Sequence, residues 1–94
     1  MELSEADKEW TRRPFPEDFP ERLGWLKELS GLSWRELAEC VGVKHSRVMG
    51  WRRGSVPRGF ALLELIRFSL GVEGGLDALF PDIAENLRRQ AEEE

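Results

Sequence analysis

Apolar residues recur at helical spacing through most of the chain, and no stretch alternates between apolar and polar positions as a strand would. The first such run predicts a helix from about Pro20 to Ser30, with Gly31 ending it. Three leucines on one side of this helix are expected to face inward, namely Leu23, Leu26 and Leu29. Residues 1–19 are mostly polar and proline-rich, so we expect a partly flexible N-terminal arm there.

Two short helical patterns then meet around a single glycine. Ser33 followed by Glu36 is a capping box, which predicts a helix over residues 33–41, and Gly42 is placed to end it with a positive φ. A second helix is predicted over residues 44–53. Small and apolar residues of both helices share an inward side and permit the steep crossing of a helix-turn-helix. These inward residues are Leu37, Ala38, Val41, Val48 and Trp51.

The segment after this motif predicts a helix from about residue 58 to Leu70 that is apolar on almost every side. A short helix over Gly75 to Phe80 follows. Pro81 then begins a last helical segment in which three apolar residues lie four apart, namely Ile83, Leu87 and Ala91. No strand or repeat is predicted, so the pattern indicates one all-α domain of 94 residues.

The long apolar helix carries two stripes, and a domain this small offers few internal layers to cover both. One stripe consists of Phe60, Leu63, Ile66 and Leu70, and the other consists of Ala61, Leu62, Leu65 and Phe68. We expect the second stripe to be a dimer or partner surface, and hence a homodimer. The alternative is that aromatic residues of the N-terminal arm cover this stripe, namely Trp10, Phe15 and Phe19.

Charge distribution changes the picture, although the net charge is −4. Residues 41–62 contain no Asp or Glu and hold five Lys and Arg side chains, so this window carries +5 in an acidic chain. Fields from charges beyond roughly 8 Å are largely screened at physiological salt, so an anion at this window responds mainly to its local cations. A polyanionic partner is therefore compatible with the net acidity.

Several function classes are excluded by composition. One Cys and one His cannot form a four-ligand structural zinc site, and no glycine-rich loop follows a strand. We therefore expect no enzyme activity, no cofactor, no metal and no small-molecule substrate. No long apolar run or secretory leader is present, so we expect a cytoplasmic protein without a membrane span. Cys40 is predicted on the outer side of its helix, partly exposed.

The motif resembles the Cro and phage-repressor type helix-turn-helix domain, the XRE family of bacterial and phage regulators. With Trp34 as the first motif position, the residues that match the family's preferred classes are Ala38 (fifth), Gly42 (ninth), Val48 (fifteenth) and Trp51 (eighteenth). The flanking segments ERLGWLKELSGLS, RRGSVP and GLDALF extend the resemblance. It implies a lambda-repressor-like bundle of about five short helices over residues 20–80, preceded by the arm at 1–19 and followed by a helical extension at 81–94.

The resemblance also implies that the helix from Lys44 enters the major groove of double-stranded DNA, where its first turn meets base edges. The expected base-reading residues are Lys44, His45, Ser46 and Arg47. Phosphate contacts position such a domain without specifying sequence. The expected phosphate-binding residues are Trp34, Arg52, Arg53 and Arg58.

Two positions depart from the family pattern. Gly50 stands where the family often places a base-reading side chain, so readout there should be relaxed or replaced by close backbone approach. Trp34 stands where the family usually carries a glutamine that binds phosphate. Its indole N–H can donate one such bond, and the alternative is that Trp34 packs against the first helix near Trp25.

Together these features predict a sequence-specific DNA-binding transcriptional regulator, expected to act as a repressor. A two-fold dimer would place its half-sites about 34 to 36 Å apart. The alternative is a protein-interaction module, such as an antitoxin or adaptor, that keeps the fold with weak or no DNA binding. The basic window favours the regulator, and Trp34 and Gly50 favour the interaction module. The operator sequence, target genes and any effector are not encoded in these patterns.

Overall fold

The computed structural model describes residues 16–93, and these residues form α-helices without any strand. The helices are α1 (Phe19–Ser30), α2 (Trp34–Val41), α3 (His45–Arg52), α4 (Phe60–Leu70), α5 (Gly75–Leu79) and α6 (Pro81–Glu93). The all-α class is thus confirmed for this part of the chain, and each helix predicted there is present within one or two residues. The predicted arm, including Trp10 and Phe15, lies almost wholly outside the described residues.

The first helix starts one residue earlier than predicted. Phe19, assigned above to the N-terminal arm, is buried and stacks on Phe80 with ring centroids 6.2 Å apart. Arg22 ties the same helix to α5, since its guanidinium donates to the carbonyl oxygen of Ala78 at 3.1 Å. Leu23 and Leu26 are buried as predicted, but Leu29 is 52% exposed. At about 100° per residue, Leu29 lies roughly a quarter turn from the buried stripe.

The segment from α2 to the start of α3 follows its local signals closely. Ser33 Oγ accepts from the backbone N–H of Glu36 at 3.1 Å, and Glu36 Oε1 accepts from the backbone N–H of Ser33 at 2.9 Å, so the capping box is confirmed. Gly42 ends α2 with φ 87°, in the left-handed region that favours glycine. Lys44 returns to an extended conformation, φ −69° and ψ 144°, and α3 begins after it.

One core joins the helices. α1 packs against α3 and α5, α2 packs against α3 and α4, and α5 packs against α4 and α6. The five inward residues predicted for the motif are all buried there: Leu37, Ala38, Val41, Val48 and Trp51. Val48 and Trp51 lie on one side of α3, and Met49 packs partly buried beside them, so the side that carries Ser46 and Arg47 is left facing away from the core.

The orientation of α4 differs from the prediction. Ala61 and Leu65 are buried, and Leu62 and Phe68 are partly buried against the same core, so the stripe expected to contact a partner faces inward. The prediction of that stripe as a dimer or partner surface is wrong. Because α4 is apolar on nearly all sides, periodicity alone could not tell which stripe α2 and α5 would cover.

The C-terminal elements close the core. A Cβ at Gly75 would collide with the carbonyl oxygen of Ser69 and lie 3.1 Å from Leu26 Cδ1, so only glycine lets α5 approach both neighbours. Ala84 in the first turn of α6 is buried, whereas Leu87 is 48% exposed. Ala84 and the partly buried Ile83 therefore attach α6 to the core.

Candidate nucleic-acid interface

The start of α3 protrudes with its polar side chains outward. Lys44 occupies the N-cap position but makes no side-chain capping hydrogen bond, and no acidic residue lies in the first turn. Lys44, Ser46 and Arg47 are exposed, and His45 is partly exposed. All four residues predicted to read bases therefore lie together at one end of one helix, and none is occupied by the core.

The charges at the start of α3 are all positive. The first backbone N–H groups of a helix have no intrahelical partner and give its N-terminus a partial positive charge. In α3 two cations, Lys44 and Arg47, add to that charge where most helices carry an acceptor. This arrangement is unfavourable for the helix by itself and favourable for a bound anion.

The cations of the described residues divide into two groups. Those in ion pairs lie outside the basic window, namely Arg22, Lys27, Arg67, Arg88 and Arg89. Within residues 16–93, those that pair with no carboxylate are Lys44, Arg47, Arg52, Arg53 and Arg58 of the window, together with Arg35. Their charge is therefore not neutralised by any side chain in this part of the molecule.

Trp34 holds one of these cations in place. The guanidinium carbon of Arg52 lies 4.5 Å from the centroid of the Trp34 ring, and Lys27 Nζ lies 5.9 Å from it. Arg52 Nη1 also contacts Met49 Sδ at 3.6 Å. The indole thus gathers cations from α1 and α3 at the start of α2. Trp25 has a separate contact, with Arg22 at 5.3 Å.

Lys27 was not predicted as part of this surface. It lies in α1, outside the helix-turn-helix, and nothing in the local pattern around it distinguishes it from an ordinary surface lysine. Lys27 reaches the Trp34 ring, seven residues further along the chain, across the short turn that joins α1 to α2.

A groove of about 290 Å³ runs between the last turns of α3 and the loop that follows it. Arg47 and Arg58 both line this groove, so the structure brings a predicted base-reading residue and a predicted phosphate-binding residue together. Gly50 lies in the wall beside Ser55, whose backbone N–H donates to the Gly50 carbonyl oxygen at 3.0 Å. Arg53 is exposed at the end of α3 and does not line the groove.

Other residues of interest lie apart from this surface. Cys40 is exposed, as the helical period predicted. No cluster of three or more His, Cys, Asp or Glu residues that could hold a metal ion occurs in the described part of the chain. None of the helices between residues 16 and 93 combines the length and the apolar character that a bilayer crossing requires.

Comparison with known proteins identifies no relative: no protein-family model, no curated protein and no solved structure matches this chain. The function must therefore be argued from the cationic end of α3 and the residues around it.

Proposed function

We propose that this protein is a sequence-specific DNA-binding transcriptional regulator of the XRE helix-turn-helix type, acting as a repressor through insertion of α3 into the major groove. The observation that carries the proposal is the exposed start of α3, where Lys44 and Arg47 have no carboxylate partner among the described residues. The proposal includes a lambda-repressor-like arrangement of the helices.

The dimensions of α3 support this mode of binding. An α-helix with its side chains is about 10–12 Å across, and the major groove of B-DNA is about 12 Å wide. Val48 and Trp51 anchor the inner side of α3 in the core, so its outer side can enter the major groove of DNA without any unfolding of the helix. Lys44 can donate to guanine O6 or N7, and His45 can donate or accept according to its tautomer.

The surrounding cations support a role in positioning. Arg52 is held over Trp34, and Arg58 lines the protein groove next to α3. Both side chains can therefore bind DNA phosphates beside the inserted helix. Lys27 extends this set on the side of α1. Trp34 acts mainly by holding Arg52, which replaces the direct amide-to-phosphate contact expected at its position in the family.

The acidic remainder of the chain shapes the binding. Acidic residues outnumber basic ones outside the window, so the protein is expected to bind non-specific DNA weakly and to depend strongly on a correct site. In a dimer, each subunit would occupy one half-site, with the two α3 helices about 34 to 36 Å apart.

The deciding experiment selects bound sequences from a random duplex pool and then measures affinity for the selected site by fluorescence anisotropy. Replacing Lys44 and Arg47 together by Ala should weaken binding by about 10-fold or more, since each base contact is worth about 1–3 kcal/mol. Arg89→Ala is the matched control, because Arg89 is an exposed arginine on α6 that pairs with Glu85. Equal affinities for the double variant and the control would contradict the proposal.

Salt dependence gives a second measurement. If each subunit makes about four phosphate contacts, log K against log salt should have a slope near −7 for a dimer and about half that value for a monomer. A slope near zero would show that the cations do not meet phosphates.

A protein-interaction module, such as an antitoxin or adaptor, is the second candidate. The observation that favours it is the exposed apolar side of α4, where Phe60 is 85% exposed and Leu63 and Leu70 are each 60% exposed. This candidate would be preferred if the pool yielded no enriched sequence.

A further inference from the structure

The outward face of α4 has the spacing of a coiled-coil seam. Its exposed positions are Phe60, Leu63, Arg67 and Leu70, which follow one another at intervals of three, four and three residues. At about 100° per residue they form a band only about 80° wide, the shape that the a and d positions of a heptad make. We call these four residues the α4 seam.

The seam is separate from the core-facing side of the same helix. Ala61, Leu65 and Ser69 are buried on the opposite side, against α2 and α5. A folded monomer rarely leaves bulky apolar residues aligned along a helix in water, and such patches commonly mark contact sites. Phe60 alone is 85% exposed, so the described part of the chain does not cover it.

We infer that the α4 seam binds a second copy of this chain, with the two α4 helices antiparallel and a two-fold axis that crosses the seam at the level of residue 65 along the helix. The positions of the seam are symmetric about residue 65, because 60 and 70 lie five residues from it and 63 and 67 lie two. An antiparallel pair therefore brings each Phe60 against Leu70 of the second copy. The same surface serves both subunits, as an isologous two-fold interface requires.

Charge decides between the two orientations. In a parallel pair, Arg67 would face Arg67 of the second copy across the seam, and like charges there are repulsive. In the antiparallel pair, Arg67 lies level with Leu63 of the second copy and next to its Glu64. Glu64 and Arg67 are 3.6 Å apart within one chain, so two copies would form an alternating cluster of two acids and two bases.

The interface is small, and this sets its strength. The eleven residues of α4 extend about 16 Å, and one face of such a helix buries well below the about 800 Å² per partner of a standard stable interface. We therefore expect a concentration-dependent dimer in the micromolar range rather than an obligate one. Self-association through this seam does not require DNA and goes beyond the proposed DNA-binding function.

Sedimentation equilibrium of the full chain without DNA, from about 1 µM to about 500 µM, tests the inference. Leu63→Arg and Arg67→Glu should each weaken the dimer by about 10-fold or more, since Leu63→Arg places like charges level with Arg67 of the second copy and Arg67→Glu places a carboxylate next to its Glu64. Leu87→Arg is the matched control, because Leu87 is a comparably exposed leucine on α6, and it should leave the dimer unchanged. Circular dichroism verifies that each variant is folded.

A charge exchange tests the acid and base cluster. Glu64→Arg combined with Arg67→Glu restores complementary charges and should recover most of the affinity lost in Arg67→Glu. A chain that stays monomeric over the whole concentration range, or a dimer that Leu63→Arg does not weaken, overturns the inference. Because no DNA is present, such a result leaves the proposed function standing, and failure of DNA binding would leave the seam standing.

Disulfide trapping tests the orientation. In a Cys40→Ser background, protein carrying Phe60→Cys is mixed with protein carrying Leu70→Cys and oxidised gently. An antiparallel pair places these two positions face to face, while two copies of position 60 lie about 15 Å apart, beyond the about 7 Å limit between Cα atoms of a disulfide. The mixed disulfide is expected. A predominant disulfide between two Phe60→Cys chains overturns the antiparallel arrangement.

Discussion

The two consecutive helices α2 and α3 begin in opposite ways. α2 and α3 each contain eight residues, and each follows an N-cap residue in an extended conformation, Ser33 or Lys44. At α2 the cap accepts a hydrogen bond and an acid lies in the first turn, whereas at α3 no cap bond forms and the first turn is cationic. The start of α2 stabilises the fold, and the start of α3 gives up that stabilisation at the surface proposed to meet phosphates and bases.

This contrast is chemical and not conformational. Ser33 has φ −75° and ψ 165°, and Lys44 has φ −69° and ψ 144°, so the backbone at Lys44 could accept a capping side chain without rearrangement. Substitutions at these two positions can therefore separate stability from binding.

The largest effect is expected for Lys44→Asp, which gives α3 the kind of cap that α2 already has. Affinity for the selected duplex should fall by about 10-fold or more, because a base contact is lost and a carboxylate is placed near phosphates. The free energy of unfolding should rise by about 1 kcal/mol from the new cap and its interaction with the helix dipole. Anisotropy titration and urea unfolding measure the two quantities.

Lys44→Ser serves as the neutral control for this substitution. Lys44→Ser should raise the free energy of unfolding by part of the gain expected for Lys44→Asp, without adding a negative charge. Its loss of DNA affinity should be smaller than that of Lys44→Asp. A Lys44→Asp protein that binds DNA as well as the unaltered protein would remove Lys44 from the interface.

The reverse change at α2 is Ser33→Ala. Loss of the hydroxyl acceptor should lower the free energy of unfolding by about 1 kcal/mol, within a range of roughly 0.5–2 kcal/mol, with little effect on DNA affinity at temperatures where the protein is folded. Urea unfolding measures it. An unchanged stability would mean that the capping box contributes nothing in solution.

A smaller effect is expected for the contact that links the two helix-turn-helix elements. A double-mutant cycle of Trp34→Leu and Arg52→Ala should give a coupling of about 0.5–1 kcal/mol in unfolding, typical of an exposed cation–π pair. In DNA binding, Trp34→Leu should also reduce the contribution of Arg52, because the guanidinium is no longer held over the ring. Coupling energies of zero in both measurements would show that the contact has no role in either property.

The smallest effect concerns the acid of the capping box. Hydrogen bonds from the backbone N–H and the hydroxyl group of Ser33 lower the pKa of Glu36 from its ordinary 4.5. A carboxyl whose pKa is lowered by folding contributes stability above its unfolded pKa, and this contribution is lost as the pH falls through its folded pKa. The difference in free energy of unfolding between the protein and its Glu36→Gln variant should therefore become smaller as the pH is lowered below about 4.5. Urea unfolding at a series of pH values measures it, and a constant difference would contradict the assignment.

The same contrast explains which parts of the fold were predictable. Ser33 with Glu36, and Gly42 with its positive φ, are local signals whose geometry depends on residues within one turn, and the structure agrees with each. The basic end of α3 was also predictable, since Lys44 to Arg47 are polar on a helix whose inner side is fixed by Val48 and Trp51.

The predictions that differ from the structure share one cause. Leu29 and the stripe from Ala61 to Phe68 are apolar residues on helices where more than one side is apolar, so the hydrophobic pattern did not define a unique inner side. The spacing of the α4 seam was present in the sequence, but the charged Arg67 interrupts it.

Capping, glycine conformation and charge are properties of neighbouring residues, so the helices, their ends and the position of the cationic window follow from the amino-acid sequence alone. The buried side of α4 and the contact of Arg52 with Trp34 follow instead from the packing of the helices. That packing depends on contacts between residues far apart in the chain, which local sequence patterns do not specify.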